Sequence, residues 1–216
     1  IVTNGSKAKN TISQMSSVDG WTAAGTASGL SLNQTSYYQS PASFKFNLTT
    51  GTGTITNTSL TQDLSDYEGI GVAFLAIYTP SASTLTSITL KIGSDSSNYA
   101  SVSATSAFVG DFTSNNWQLV AFDFSTATNT GTPDWSNITY AQISIVTSSS
   151  QANFGLGALF MSLPMPYNIK YQSAAIFVPE GTTTASQFIT DSTDKIILTT
   201  GAYIIYTYEC ALSVME

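Results

Sequence analysis

Residues 63–80 read DLSDYEGIGVAFLAIYTP. The stretch opens with an acidic, glycine-closed segment, 63–69, continues as an apolar run, 70–79, and stops at Pro80. A strand covered on one face alternates apolar and polar residues, whereas 70–79 is apolar at both parities. It therefore reads as a central strand that crosses a core and is covered on both sides. The segment before it reads as a corner, and proline ends the strand because it has no N–H for the ladder.

Working outward from this strand, more short β-like runs appear. ASFKFNLT (42–49) sends Phe44, Phe46 and Leu48 to one face and Lys45 and Asn47 to the other. GTITNTSL (53–60) follows TTGTG, which has the composition of a tight turn. Downstream, LTSITLKIG (85–93) puts Ile88, Leu90 and Ile92 inward against Thr89 and Lys91 outward. YASVSAT (99–105), NWQLVAFDF (116–124), ITYAQISIVT (138–147) and NFGLGALFMSL (153–163) complete the set. No helical period competes before residue 164. Short strands parted by Gly, Asn, Asp, Ser and Pro predict an all-β fold, a jelly-roll β-sandwich of eight or nine antiparallel strands over 21–163. Residues 1–20 read as an extended lead-in. After LPMPYN (163–168) the character changes, and 164–216 reads as a C-terminal docking appendage. In it, 169–178 is a candidate strand, 179–194 a polar loop, and 195–216 an apolar strand or a helix beginning near Tyr203.

Composition narrows the function. The 216 residues are 42% hydrophobic and 12% aromatic but only 9% charged, and the net charge is −7. The six lysines are scattered, so neither a phosphate backbone nor an anionic membrane surface finds a basic patch. No run approaches 18 consecutive apolar residues, the length that marks a membrane-spanning helix. A chain that begins at Ile1 reads as a piece of a longer or processed protein.

With no histidine and one cysteine, Cys210 in an apolar run, there is no Ser-His-Asp triad, no Cys-His pair and no histidine zinc site. No phosphate-binding glycine motif is present. Glycoside hydrolysis needs two carboxylates across a sugar, but the acids here sit mostly in turns such as GSDSSN and TPDWSN, where their side chains bond their own backbone. The chain therefore reads as a non-enzyme. Calcium is the ion this oxygen chemistry would admit, and Asp63, Asp66 and Glu68 are the candidate ligands. Asp123, inside AFDF, is either an outward strand residue or part of a cation or partner site. Among aromatics, Tyr37, Tyr38 and Trp135 lie in loops, where they either stack on a sugar or partner or cap the core. Trp21 and Trp117 fall at strand positions and are expected in the core.

WTAAGTASGLSLN (21–33), SPASFKFNL (40–48), WQLVAFDFS (117–125) and ITYAQISI (138–145), in that order, resemble carbohydrate-binding-module-like jelly rolls. Many such modules carry an aspartate beside a structural calcium in the last strand. Here FGLGAL (154–159) puts Gly157 at that place, which sets the family's calcium site in doubt. The segment 64–103, followed by PYNIKYQSAAIFV (166–178) and DKIILTTGAYIIYTYECAL (194–212), is similar to jelly-roll proteins of tailed-bacteriophage particles, some of them head-to-tail adaptors. That resemblance implies a structural protein of a virion, present in multiple copies. Its partners would be portal, capsid or tail subunits, together with host surface glycans. Docking would run through Ile196, Ile197, Leu198, Tyr203, Ile204, Ile205 and Tyr206. The alternative is a carbohydrate-binding module of a secreted polysaccharide-degrading enzyme or adhesin, binding through Trp135, Tyr37 or Tyr38.

Overall fold

The computed structural model of the chain describes residues 10–38 and 41–163, and the backbone of Lys9, 187–189 and 195–197. By its contacts the chain divides into two units, Ile1–Pro164 and Met165–Glu216. The first holds ten strands: β1 (Lys9–Ser13), β2 (Trp21–Asn33), β3 (Ser43–Asn57), β4 (Val72–Thr79), β5 (Leu85–Asp95), β6 (Asn98–Ala104), β7 (Asn116–Asp123), β8 (Thr128–Thr130), β9 (Tyr140–Thr147) and β10 (Gln151–Ser162). Every pairing is antiparallel.

The strands form one sheet that curls on itself into the expected jelly-roll sandwich. On one side the order is β7–β4–β10; on the other it is β8–β6–β5–β9. β3 joins the two. Its first part pairs with β10 through Phe44, Phe46 and Leu48, and its second part, Gly51 to Asn57, pairs with β9. β2 accompanies β3 along both parts. The expected tight turn at 49–53 is therefore a bend inside one strand. Gly51 makes the bend at φ 116, and Gly25 makes the matching one in β2 at φ 65, both left-handed values that cost a side-chain-bearing residue.

The core is a single hydrophobic cluster between the two sides. The alternation read from sequence supplies it: Phe44, Phe46 and Leu48 from β3, Ile88, Leu90 and Ile92 from β5, and Ile143 and Ile145 from β9 are all buried. Burying each such side chain contributes roughly 1.5–3 kcal/mol over leaving it in water. The strand that opened the reading, β4, lies between β10 and β7. Its inner residues Ala73, Leu75 and Ile77 are fully buried. Its outer residues Val72, Phe74 and Tyr78 are only half-buried, so cover on that side is partial. The 63–69 corner contains a single 3-10 turn, Ser65–Tyr67, that drives Leu64 and Tyr67 into the core.

The 1–20 segment does more than lead in. β1 pairs with the end of β10, Lys9 opposite Ser162, and Ile12 and Met15 are buried. In the second unit, β11 (Gln187–Ile189) pairs with β12 (Lys195–Ile197), Phe188 opposite Ile196, so the 179–194 stretch read as a loop contains a strand. Ile196 and Ile197 fall in β12. Leu198, Tyr203, Ile204, Ile205, Tyr206, the candidate strand 169–178 and the helix expected near Tyr203 lie outside the described residues.

Candidate functional site

Residues directly opposite one another on paired strands share a face of the sheet. Trp117 of β7 faces Tyr78 of β4, Tyr78 faces Gly155 of β10, Gly155 faces Lys45 of β3, and Lys45 faces Ser31 of β2. These five residues make one row across the sheet, on the face away from Phe44 and Phe46. The Trp117 ring lies against Tyr78, centroids 5.8 Å apart at 54°. It also reaches across β10. A Cβ on Gly155 would sit 3.1 Å from Trp117 Cη2, and one on Gly157 would sit 3.3 Å from its Cζ3. The two glycines are thus the floor on which the indole rests.

The connection between β2 and β3 folds over this row. Asn33 Oδ1 accepts from Thr35 N (3.0 Å), Thr35 Oγ1 (2.9 Å) and Ser36 N (3.2 Å), which fixes a turn. Ser43 Oγ donates to the Ser36 carbonyl at 2.8 Å. Trp117 Nε1 donates to Ser36 Oγ at 3.0 Å, and the Tyr38 ring packs against the indole at 6.4 Å. Between connection and sheet lies a cleft of about 290 Å³ lined by Asn33, Ser36, Lys45, Tyr78, Trp117 and Asn153 among others. An aromatic floor with hydroxyl and amide walls suits a ligand with apolar faces and a polar rim. Among the described residues no carboxylate lines the cleft, so it does not offer the carboxylate pair of glycoside hydrolysis.

Farther along the same face, Phe74 stacks on Phe160 at 5.3 Å and meets Phe108 edge-on at 5.2 Å. Phe108 is 59% exposed and Val109 84%. Phe74 lies four residues from Tyr78 on β4, about 13 Å at ~3.3 Å per strand residue.

The structure redistributes the residues singled out from sequence. Tyr38 packs against the Trp117 indole at the edge of the cleft; neither it nor Tyr37, 47% exposed, is part of the lining. Trp135 has no face to offer a ligand. It is 5% exposed, packs edge-on to Phe124 at 5.6 Å, and its carbonyl accepts from Leu64 N. Asp134 Oδ1 accepts from Ser136 N and Oγ, which shapes the turn that carries Trp135. Trp21 is core as expected, edge-on to Phe44. Trp117, expected in the core, stands on the outer face. The signal was present in its own strand: Val120 and Phe122 are buried, and Trp117 has the opposite parity.

Asp63, Asp66 and Glu68 are not brought together as a calcium site. Asp63 Oδ1 accepts from Ser65 N and Oγ, Asp66 and Glu68 are exposed, and no cluster of metal-ligating side chains occurs among the described residues. Asp123 likewise serves a turn, its Oδ1 accepting from Ser125 N and Oγ.

The sequence matches no protein-family model. No curated protein matches it. Solved structures do share the fold. A family 30 carbohydrate-binding module superposes with TM-score 0.53 at 15% identity, covering 72% of this chain and 98% of that one. The family 30 module of a cellulosomal cellulase of Clostridium thermocellum gives 0.52 at 15% identity, covering 73% and 99%. A family 11 module from Clostridium thermocellum, in complex with a β-1,3-1,4-mixed-linked tetrasaccharide, gives 0.50 at 13% identity, covering 71% and 95%. The likeness is one of fold: residues 9–163 form a jelly roll of the carbohydrate-binding-module type.

Proposed function

We propose that this chain is a non-catalytic carbohydrate-binding module that holds a polysaccharide on the outer face of the β7–β4–β10 sheet. The observation that carries the reading is the seating of Trp117. Two glycines under the ring and a hydrogen bond from its Nε1 hold it flat against the sheet, beside Tyr78 and Tyr38. A pyranose ring presents C–H faces to such a platform and hydroxyls to the amide and hydroxyl walls. The Phe74–Phe160–Phe108 cluster extends the platform for a longer chain. The fold neighbours are carbohydrate-binding modules, which supports a non-enzymatic, extracellular reading.

The test is retention on immobilised polysaccharides, mixed-linked β-glucan and xylan among them. Trp117→Ala is expected to abolish retention while the far-ultraviolet circular dichroism stays that of the parent and unfolding stays cooperative, at a lowered Tm. Undiminished retention would remove the cleft as the site.

A bacteriophage particle as the setting, with portal, capsid or tail subunits as partners, is supported only by the sequence resemblance of 64–103, 166–178 and 194–212. Density-gradient sedimentation decides it. Travel with virus-sized particles supports a virion protein; travel with soluble protein rejects it and leaves the glycan reading standing.

A further inference from the structure

We infer that the glycan held in this cleft is acidic, with a uronate carboxylate paired to Lys45. The inference rests on the glycan-binding reading above and names its ligand class.

Lys45 is the one charged residue between positions 20 and 62. It stands in the row that carries Trp117 and Tyr78, and it lines the cleft. No acid accompanies it. β2, β3, β4, β10 and the connection 34–42 contain no Asp or Glu, and Asp123, the one acid of β7, lies at the opposite end of that strand from Trp117. Lys91, on β5, places its ammonium 4.7 Å from the Tyr99 ring centroid; Lys45 has no ion pair or ring partner among the described residues. In a chain of net charge −7, a lone half-buried cation has been placed beside the aromatic platform.

The other polar groups of the cleft point to the same ligand. The Asn33 carbonyl oxygen is occupied by three donors from Thr35 and Ser36, which leaves the amide N–H groups to donate. Ser36 Oγ already accepts from Trp117, which leaves its hydroxyl proton to donate. Ammonium, amide N–H and hydroxyl together favour an acceptor-rich, anionic group, and charge-assisted hydrogen bonds are the strongest the cleft can make.

The experiment compares the full chain, Lys45→Met and Lys45→Arg on matched neutral and acidic polysaccharides: xylan against glucuronoxylan, polygalacturonate, and a sulfated galactan. The expected result is tighter binding to the uronate polymers. Lys45→Met should reduce that affinity about tenfold, a larger loss than it causes on neutral xylan, while Lys45→Arg keeps the preference. Raising sodium chloride should compress the difference, since exposed charges are screened. A preference for the sulfated polymer alone assigns the anion to sulfate and overturns the uronate assignment. Equal affinity for neutral and acidic polymers, or an equal loss on both in Lys45→Met, overturns the inference and leaves the cleft a glycan site. No retention on any polymer overturns the inference and the glycan-binding reading together.

Discussion

Two tryptophans divide the roles at the scale of single residues. Trp135 closes the core against Phe124, so Trp135→Ala is expected to cost about 3–5 kcal/mol in denaturant unfolding without removing any ligand contact. Gly155 does the reverse. Its added Cβ would meet Tyr78 Cβ at 3.0 Å and Trp117 Cη2 at 3.1 Å, so Gly155→Val is expected to lift the indole off the sheet. Retention on polysaccharide should fall while the fold persists; an unchanged affinity would mean that the seat of the ring is unimportant. The site was only partly legible in the sequence. Tyr38 stands out as a loop aromatic. Trp117 was legible by strand parity, but a tryptophan in a hydrophobic strand reads first as core. The burial of Trp135 depends on Leu64 and Phe124, which are distant in sequence, and no local pattern reveals it.

At the scale of elements, the turn between β5 and β6 carries a pH-sensitive clasp. Asp95 accepts from the Asn98 side chain at 2.9 Å and from Ser97 N at 2.7 Å, and these bonds hold its carboxyl below the usual range. A group whose value is lowered by folding adds stability above its unfolded value and loses it as pH falls through the folded one. Amide protection in the β5–β6 hairpin, corrected for the intrinsic exchange rate, is therefore expected to fall below about pH 4. Asp95→Asn should remove that pH dependence; an acid response that survives in the variant would place its origin elsewhere. The strands with clean alternation, such as 42–49 and 85–93, were readable in advance. β2 was not: its alanines, serines and glycines give no period, and it exists because β3 pairs with it along both of its parts. The bend of β3 was hidden for a related reason, since TTGTG has a turn composition and only two-sided pairing keeps it extended.

For the molecule as a whole, the jelly roll draws its core from residues 12–161. A chain ending at Leu163 is expected to stay soluble and to unfold in one cooperative transition; aggregation on expression would show that the jelly roll depends on residues 164–216. Removing residues 1–20 is expected to be more damaging, because it strips β1 from β10 and takes away Ile12 and Met15, which are buried against the core. Their burial is worth about 3–6 kcal/mol together, measurable as a lowered denaturant midpoint. Fold class was legible from strand spacing and turn chemistry. Sheet order was not, because pairing partners such as β4 and β10 are far apart in sequence.

The pairing of Lys9 with Ser162 also decides how the jelly roll meets mechanical load. Force applied at these two positions pulls the ends of an antiparallel pair apart from the same side. β1 then peels from β10 one residue pair at a time, like a zipper, instead of shearing all of its bonds at once. Load applied at those two positions would be answered first by this seam, before the pairs deeper in the sheet are strained.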